Sequence, residues 1–489
     1  MTGRSIAIAA VVALAVAAGV GDHDGIMPAR LASLAPLAPV LVPALVPVAH
    51  AAESPASQHP SPLPSDNAAA TLHRGAELAA IGDCAVCHTA SHGAPFAGGR
   101  PLDTPFGTIW STNITPDRDT GIGAWSLDAF TRAMRRGMSR DGHLLYPAFP
   151  YPHFTHMTDA DIAAVYAFLM SRDPVRATPP ANRLVFPLGF RPLIAGWNLF
   201  FLHRGVEPNG DAAADFAAGA SAAASSDAVE LERGRYLVDG PGHCAACHTP
   251  LNLLGAEQRG HALSGAVIEG WQAPSLTALL SAPKPWTRDQ LVAYLRTGFA
   301  SDHGAAAGPM RPVTQSLADA SARDVTAMAD YLMSLQMTPA AAGAVPASSP
   351  SQQHASAEAE AEAEANVNAN GHADAVTARV QNGATLFNGA CAQCHAPHAP
   401  MTTLGNRPSL ALGSASNANT PRNVLRAMLD GIRAQPGASG PSMPAFRNVF
   451  TDAQIADLAA FLRARFSSQP AWSVDEASVA KLRKEAGNP

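Results

Sequence analysis

A chain of 489 residues has room for about three domains of ordinary size. Its formal charge of −6, from 33 Lys and Arg against 39 Asp and Glu, excludes the basic footprint of a nucleic-acid binder. Aromatic residues are only 6% of the chain, so three separate cores need apolar volume from something besides side chains.

The first 51 residues read as an export signal (1–51). The true start is either Met1 or Met27; from Met27 the stretch carries Arg30, an apolar Leu/Val/Pro run and an Ala49-His50-Ala51 site with cleavage after Ala51. The alternative is an uncleaved anchor, which Pro36, Pro39, Pro43 and Pro47 oppose as a stable helix. No later stretch has about 18 consecutive apolar residues.

Three similar segments follow, expected as domains at 70–205, 228–338 and 376–468. The Ala/Ser-rich run Asp211 to Asp227 separates the first two. A longer Ala/Glu/Ser/Asn run, Thr338 to Ala373, lies within a linker at 339–375. Each segment opens with a helical pattern holding a glycine: Gly75, Gly234, Gly383. Within about ten residues comes Cys-x-x-Cys-His: Cys84, Cys87 and His88; Cys244, Cys247 and His248; Cys391, Cys394 and His395. A hydroxyl suited to N-capping follows at Ser126, Thr287 and Thr420, and eleven residues later a C-terminal glycine, Gly137, Gly298 and Gly431. Each segment closes on an amphipathic helix in which Phe168, Tyr331 and Phe461 take matching places. Strand signals are few, so the fold class is all-α.

The three motifs use all 6 cysteines. Two thiols at this spacing form thioethers to the two vinyl groups of a haem, and the next histidine ligates the iron. A zinc site needs four ligands and each segment has one pair. A redox-active pair belongs on a thioredoxin-like α/β pattern, and structural disulfides do not require a histidine after every second cysteine. Three covalent haems c are therefore expected, and they supply the missing core volume.

For the other axial position the repeat points to Met310, twelve residues after Gly298, and Met443, twelve after Gly431. Both stand among prolines and small residues. The first segment has Phe149 at that offset, which cannot bind iron. Met134, Met138, His143, His153, His156 and Met157 are its nearby alternatives; Met157 is chosen, with a histidine ligand or a five-coordinate iron left open. Within the inserted loop Thr104 to Trp125, the turn "TNIT" matches "PSLT" at Pro274 and "PSLAL" at Pro408, and Trp110 and Trp125 are either haem-propionate donors or core residues. The strap Asn182 to Gly205 has a Trp/Phe/Leu face flanked by Arg183, Arg191, His203 and Arg204; it suits a membrane interface, a docking surface or packing over its own domains. The C-terminal "AWSVDEASVAKLRKEAG" is a weaker amphipathic candidate for docking.

From about Thr71 to Phe466 the chain resembles the triheme cytochrome c subunit of membrane-bound periplasmic dehydrogenases. The resemblance rests on "TPFGTIWSTNITPD", "GIGAWSLDAF", "RRGMSRDGHLLYPAFPYPHF", "GRYLVDGPGHCAACHTP", "GPMRPV", "LFNGACAQCH" and "MPAF". Such subunits serve quinoprotein alcohol dehydrogenases and flavin-dependent gluconate, sorbitol or glucose dehydrogenases; related ones serve nicotinate-type molybdenum hydroxylases, which the strap resembles more. The resemblance implies three tandem class-I-like cytochrome c domains joined by low-complexity linkers. It also implies a relay, not an enzyme by itself, carrying electrons from a flavin, quinoprotein or molybdenum dehydrogenase subunit to ubiquinone or a terminal oxidase. The expected place is the periplasm, at the outer face of the cytoplasmic membrane. Phe149 and the long linker depart from the pattern. The rival readings are a peroxidase-like enzyme with an open first haem and a free-standing periplasmic carrier. No Ser-His-Asp set, P-loop or dinucleotide fingerprint accompanies the motifs.

Overall fold

The computed structural model describes residues 65–205, 226–336, 361–396, 399, 409–432 and 442–485. The expected signal, most of both linkers, and Pro408 with its turn lie outside them. Three hydrophobic cores form, one per repeat.

In the first segment, α1 (Ser65–Ile81) leads into the one-turn α2 (Cys84–Cys87). A hairpin of β1 (Pro101–Thr104) and β2 (Gly107–Trp110) follows, then α3 (Leu127–Arg136), α4 (Tyr151–Phe154) and α5 (Asp159–Met170). The strap supplies β3 (Arg183–Leu184), paired antiparallel to β2, and α6 (Leu193–Phe201). The second segment repeats this with α7 (Ser226–Asp239), α8 (Ala245–His248), β4 (Ala266–Ile268), β5 (Trp271–Ala273), α9 (Arg288–Thr297), β6 (Phe299–Ala300), β7 (Gly304–Ala305), α10 (Met310–Leu317) and α11 (Ala322–Ser334). The third has α12 (Ala361–Ala390), α13 (Ala392–His395), α14 (Ser414–Asn417), α15 (Arg422–Asp430), α16 (Asp452–Phe466) and α17 (Glu476–Glu485). The described residues are helix-rich, as expected, with a few short strands besides. They are two- to four-residue pairings in turn-rich loops, too short to leave an alternating pattern in the sequence.

The opening glycines explain how each segment closes. A Cβ on Gly75 would lie 2.0 Å from the Ala164 carbonyl oxygen of α5 and 2.8 Å from the Phe168 Cβ. Gly234 meets the Ala327 oxygen of α11 at 2.0 Å, and Gly383 the Asp457 oxygen of α16 at 2.2 Å. First and last helices therefore cross backbone to backbone, and any side chain at the crossing would force them apart. The matching aromatic of each closing helix packs beside its glycine.

Capping follows the repeat with one correction. Ser126 accepts from the Ala129 amide and Thr287 from the Gln290 amide, and Gly137 and Gly298 end their helices in the left-handed region. Thr420 does not cap: Pro421 takes the cap position, has no side-chain hydrogen bond, and α15 starts at Arg422. The third segment also differs from its expected 376–468 limits. Helix α12 begins at Ala361, inside the expected linker. Val474, Val479 and Leu482 of the C-terminal stretch are buried in the third core, because the apolar face of α17 lies against that segment's own helices.

The strap packs over its own segment. Asn182 Oδ1 accepts from the Trp110 amide, Val185 N–H donates to the Phe106 oxygen, and Arg191 donates to the Leu144 oxygen. It leaves an apolar surface all the same. Phe186 is 94% exposed, Leu199 and Phe200 of α6 are exposed, and Trp197 Nε1 donates to the Leu254 oxygen of a loop where Leu253 is 93% exposed. No helix among the described residues is long and apolar enough to cross a membrane.

Candidate haem-binding sites

Each Cys-x-x-Cys-His follows the opening helix through a sharp change of direction. Asp83 and His243 precede the first cysteine in matching places, with φ of 49° and 35°. The turn brings both thiols and the imidazole onto one short helix, α2, α8 or α13. All six thiols are free. Burial, followed by nearby carboxylates and thiols, pushes Cys84, Cys244 and Cys247 up to about 12; burial raises Cys87 and takes Cys391 to about 11. A redox-active dithiol needs the opposite shift.

The histidines are oriented from behind. His88 Nδ1 lies 2.6 Å from the Thr112 oxygen, and His248 Nδ1 lies 2.7 Å from the Pro274 oxygen. A carbonyl only accepts, so Nδ1 carries the proton and Nε2 keeps its lone pair for a metal. Burial lowers both imidazoles below their ordinary range, with the carbonyl pulling weakly the other way, so the neutral ligand form prevails. Thr112 and Pro274 are the first residues of the matching turns "TNIT" and "PSLT"; that match was visible in sequence, but the role of its carbonyl was not. Pro408, the third such residue, is outside the described set.

Met443 lines a small cavity with Cys391, Met428, Phe446, Phe450 and Leu458. Its amide and carbonyl pair with Ile432, which fixes it after Gly431. Met310 is the first residue of α10 and packs on the same core as Cys244. In the first segment Phe149 packs on Phe154 and Tyr151, with ring centroids 5.4 and 6.3 Å away. Met157 is 1% exposed within the first core, and its carbonyl accepts from Arg135. Of the alternatives, Met134 is buried in the same core, Met138 pairs with Leu144, and His156 is exposed. His143 pairs with Asp141 on the surface. His153 has both ring nitrogens engaged by the second segment: Nε2 is 2.6 Å from Glu257 Oε1, and Nδ1 is 3.1 Å from the Asp239 oxygen.

A cavity of about 460 Å³ lies beside Thr112, lined also by Trp110, Tyr146, Leu184 and Arg191. Trp110 Nε1 is buried with no acceptor, whereas Trp125 packs on the first core. An unspent donor, a neighbouring arginine and a roomy cavity next to an oriented histidine fit a large planar group bearing carboxylates.

The first two sites are neighbours. Asp83 and Cys87 of one, and Glu269 on the loop between β4 and β5, all act on Cys247 of the other. Asp83 itself is 6% exposed with one oxygen unpartnered; burial pushes it up to about 7, against Ser316 and Arg100. His243 Nε2 faces the Gly82 oxygen at 3.3 Å.

A paired-thiol turn, a histidine held by a carbonyl and crossing terminal helices together define a cytochrome c. The "Cytochrome c" family matches residues 72–173 and 231–336, and "Cytochrome C oxidase, cbb3-type, subunit III" matches 378–462. The chain is 45% identical over 423 residues to a nicotinate dehydrogenase subunit of Pseudomonas putida, covering 86% of this chain but 32% of that protein. It thus spans about a third of that relative. It is 37% identical to the gluconate 2-dehydrogenase cytochrome c subunit of Pantoea cypripedii, covering 85% of this chain and 90% of the relative. With the fructose dehydrogenase cytochrome subunit of Gluconobacter japonicus it shares 32% identity over 87% of this chain and 85% of the relative. The chain belongs to the family of cytochrome c subunits of dehydrogenases.

Proposed function

We propose that this chain is a three-haem electron-transfer subunit, built as three tandem cytochrome c domains, that serves a dehydrogenase and performs no substrate chemistry itself. The observation that carries this reading is the threefold recurrence of the attachment motif on a fold closed by the same glycine crossing. Bound haem supplies reversible one-electron chemistry. Cys84 and Cys87, Cys244 and Cys247, and Cys391 and Cys394 would hold the three groups covalently. His88, His248 and His395 would ligate the irons, the first two with their rings fixed by the Thr112 and Pro274 carbonyls. Met310 and Met443 would close the second and third sites.

For the first site we retain Met157. The matching Phe450 forms part of the wall of the third cavity, so this position borders the distal side of its site. Phe149 then seals the pocket against water. His153 is committed to Glu257, which removes the strongest histidine rival.

The source of electrons is a dehydrogenase subunit of flavin, quinoprotein or molybdenum type, and the acceptor is ubiquinone or a terminal oxidase. The export signal supports a periplasmic place. The apolar face of Phe186, Leu199, Phe200 and Leu253 supports contact with the outer face of the cytoplasmic membrane.

Intact mass of protein matured in a haem-attaching host, with carbon monoxide titration of the reduced form, tests the reading. Three haem masses and little carbon monoxide binding are expected, rising to about one equivalent in Met157→Ala. A gain of two haems or fewer rejects the count, and one equivalent bound by the parent favours the peroxidase-like alternative.

A further inference from the structure

The first two segments carry matching charged residues where they touch. Arg74 and Arg233 each precede the crossing glycine of the opening helix. Asp161 and Asp324 each occupy the third position of the closing helix, where the amide donates to the capping hydroxyl of Thr158 or Ser321 at 3.1 Å. Two arginines and two aspartates thus meet where the segments touch.

Arg74 bridges both acids. Nε and Nη2 hold Asp161 of its own segment at 3.0 and 2.9 Å, and Nη1 holds Asp324 of the second segment at 2.9 Å. Arg233 donates to the other oxygen of Asp324, which is fully buried. The match breaks on the remaining arm. Tyr236 reaches across to Asp161 Oδ2 at 2.8 Å and accepts from the Thr158 amide at 3.1 Å. Both oxygens of each aspartate are used, and Glu77 also lies 3.9 Å from Arg74 Nη1. Such a network holds its geometry because removing any one member leaves a buried charge uncompensated. The opening helices continue from here into the attachment turns. Ile81, at the end of α1, is buried in the second segment's core, and Gly82 and His243 meet directly beyond it. The third segment has Asn382 and Gln454 at the corresponding positions, and Gln454 is spent on a capping box, so no such clamp forms there.

We propose that Arg74, acting through Asp161 and Asp324, is a positioning residue that fixes the approach of Cys84–His88 to Cys244–His248 and so sets the rate of electron exchange between the first and second haems. This rests on the three-haem reading. Tyr236 and Arg233 complete the clamp, and the third haem lies outside its control.

The experiment uses the full-length holoprotein with Arg74→Gln, Arg74→Lys, and Arg288→Gln as a control for a surface ion pair with Asp330. Three quantities are read: haem content by mass, hydrogen exchange of amides around residues 79–84 and 240–244, and electron equilibration among haems after flash photoreduction. Arg74→Gln keeps the parent's haem content, exchanges faster at those amides, and equilibrates between the first two haems more slowly than the parent. Arg74→Lys restores part of the rate, and Arg288→Gln matches the parent. Equilibration of Arg74→Gln at the parent rate, or slowing without faster exchange at the junction, overturns the proposal. A parent with fewer than three haems instead fails the haem reading, and the amide exchange still judges the clamp.

Discussion

Between the first and second segments, buried charge pairs side chain with side chain, Arg74 with Asp324, His153 with Glu257 and Tyr236 with Asp161, beside side-chain bonds from His153 and His243 to the Asp239 and Gly82 oxygens. Between the second and third, the bonds run to main-chain atoms. Arg422 and Arg426 donate to the Gly270 oxygen, Asn423 exchanges two hydrogen bonds with the backbone of Gln272, and the Ser414 amide donates to the His303 oxygen. A charge network tolerates one geometry. A backbone carbonyl accepts any donor within reach, so the second junction has less geometric selectivity. The pair with adjacent attachment motifs has the stricter junction.

The largest expected effect separates the segments outright. Gly234→Ala places a methyl against a helix carbonyl and costs about 4 kcal/mol or more, enough to unfold a marginal domain. Because Ile81 belongs to the second core, the first segment should lose stability with it. Gly383→Ala should unfold only the third. Thermal unfolding followed at each haem's absorbance, with haem count by mass, distinguishes these; equal damage to all three segments from either variant contradicts the unequal junctions.

Arg426→Gln should come next. Arg426 is 3% exposed and Gly270 has no Cβ because its guanidinium occupies that space, at 2.0 Å from an ideal Cβ. Losing its charged bond to the Gly270 oxygen should weaken the second junction by about 2 kcal/mol, while its contacts with Asp430 and Glu485 lie within the third segment. Hydrogen exchange at residues 270–273 should rise while the first junction stays protected. Parent-like exchange in β5 would show that the junction does not depend on this arginine.

The smallest effect is one of pH. Burial alone would lower His153, but the Glu257 carboxylate and the Asp239 carbonyl outweigh it, and the net shift is upward. A folded-state value above the unfolded one adds stability that is complete below the unfolded value, about 6.5. It is lost as pH rises through the folded value. The first junction should therefore loosen as pH rises above about 6.5, and His153→Gln should flatten that slope. The second junction rests on main-chain carbonyls and amides, so it should show no matching slope. Denaturant titrations across that range read both; a slope unchanged in His153→Gln removes the pair as its cause.

What could be read from sequence follows from distance along the chain. Gly75 and Phe168 have counterparts in all three copies, so the opening and closing helices and the attachment motifs were legible, but not their backbone-to-backbone crossing. The carbonyls of Thr112 and Pro274 were hidden because a main-chain oxygen has no residue type, although the matching turns marked their places. Arg74 and Asp324 stand 250 residues apart, and only the packing of the first segment on the second brings them together. Thr420 misled because a hydroxyl before an apolar run resembles a cap, while Pro421 already supplies the helix start. The C-terminal helix looked weakly amphipathic alone; its buried face needed the third core to give it meaning.

The glycine crossing also bears on the order of events as the chain folds. Each crossing joins the opening helix of a segment to the helix that closes it, with the cysteines between them in the chain. A chain growing from its N-terminus presents each thiol pair before the helix that completes the crossing over it. Until then the thiols are open; afterwards they lie in a closed body. The same contact that locks each segment thus sets a deadline for any covalent chemistry on its thiols, and the deadlines fall one after another along the chain.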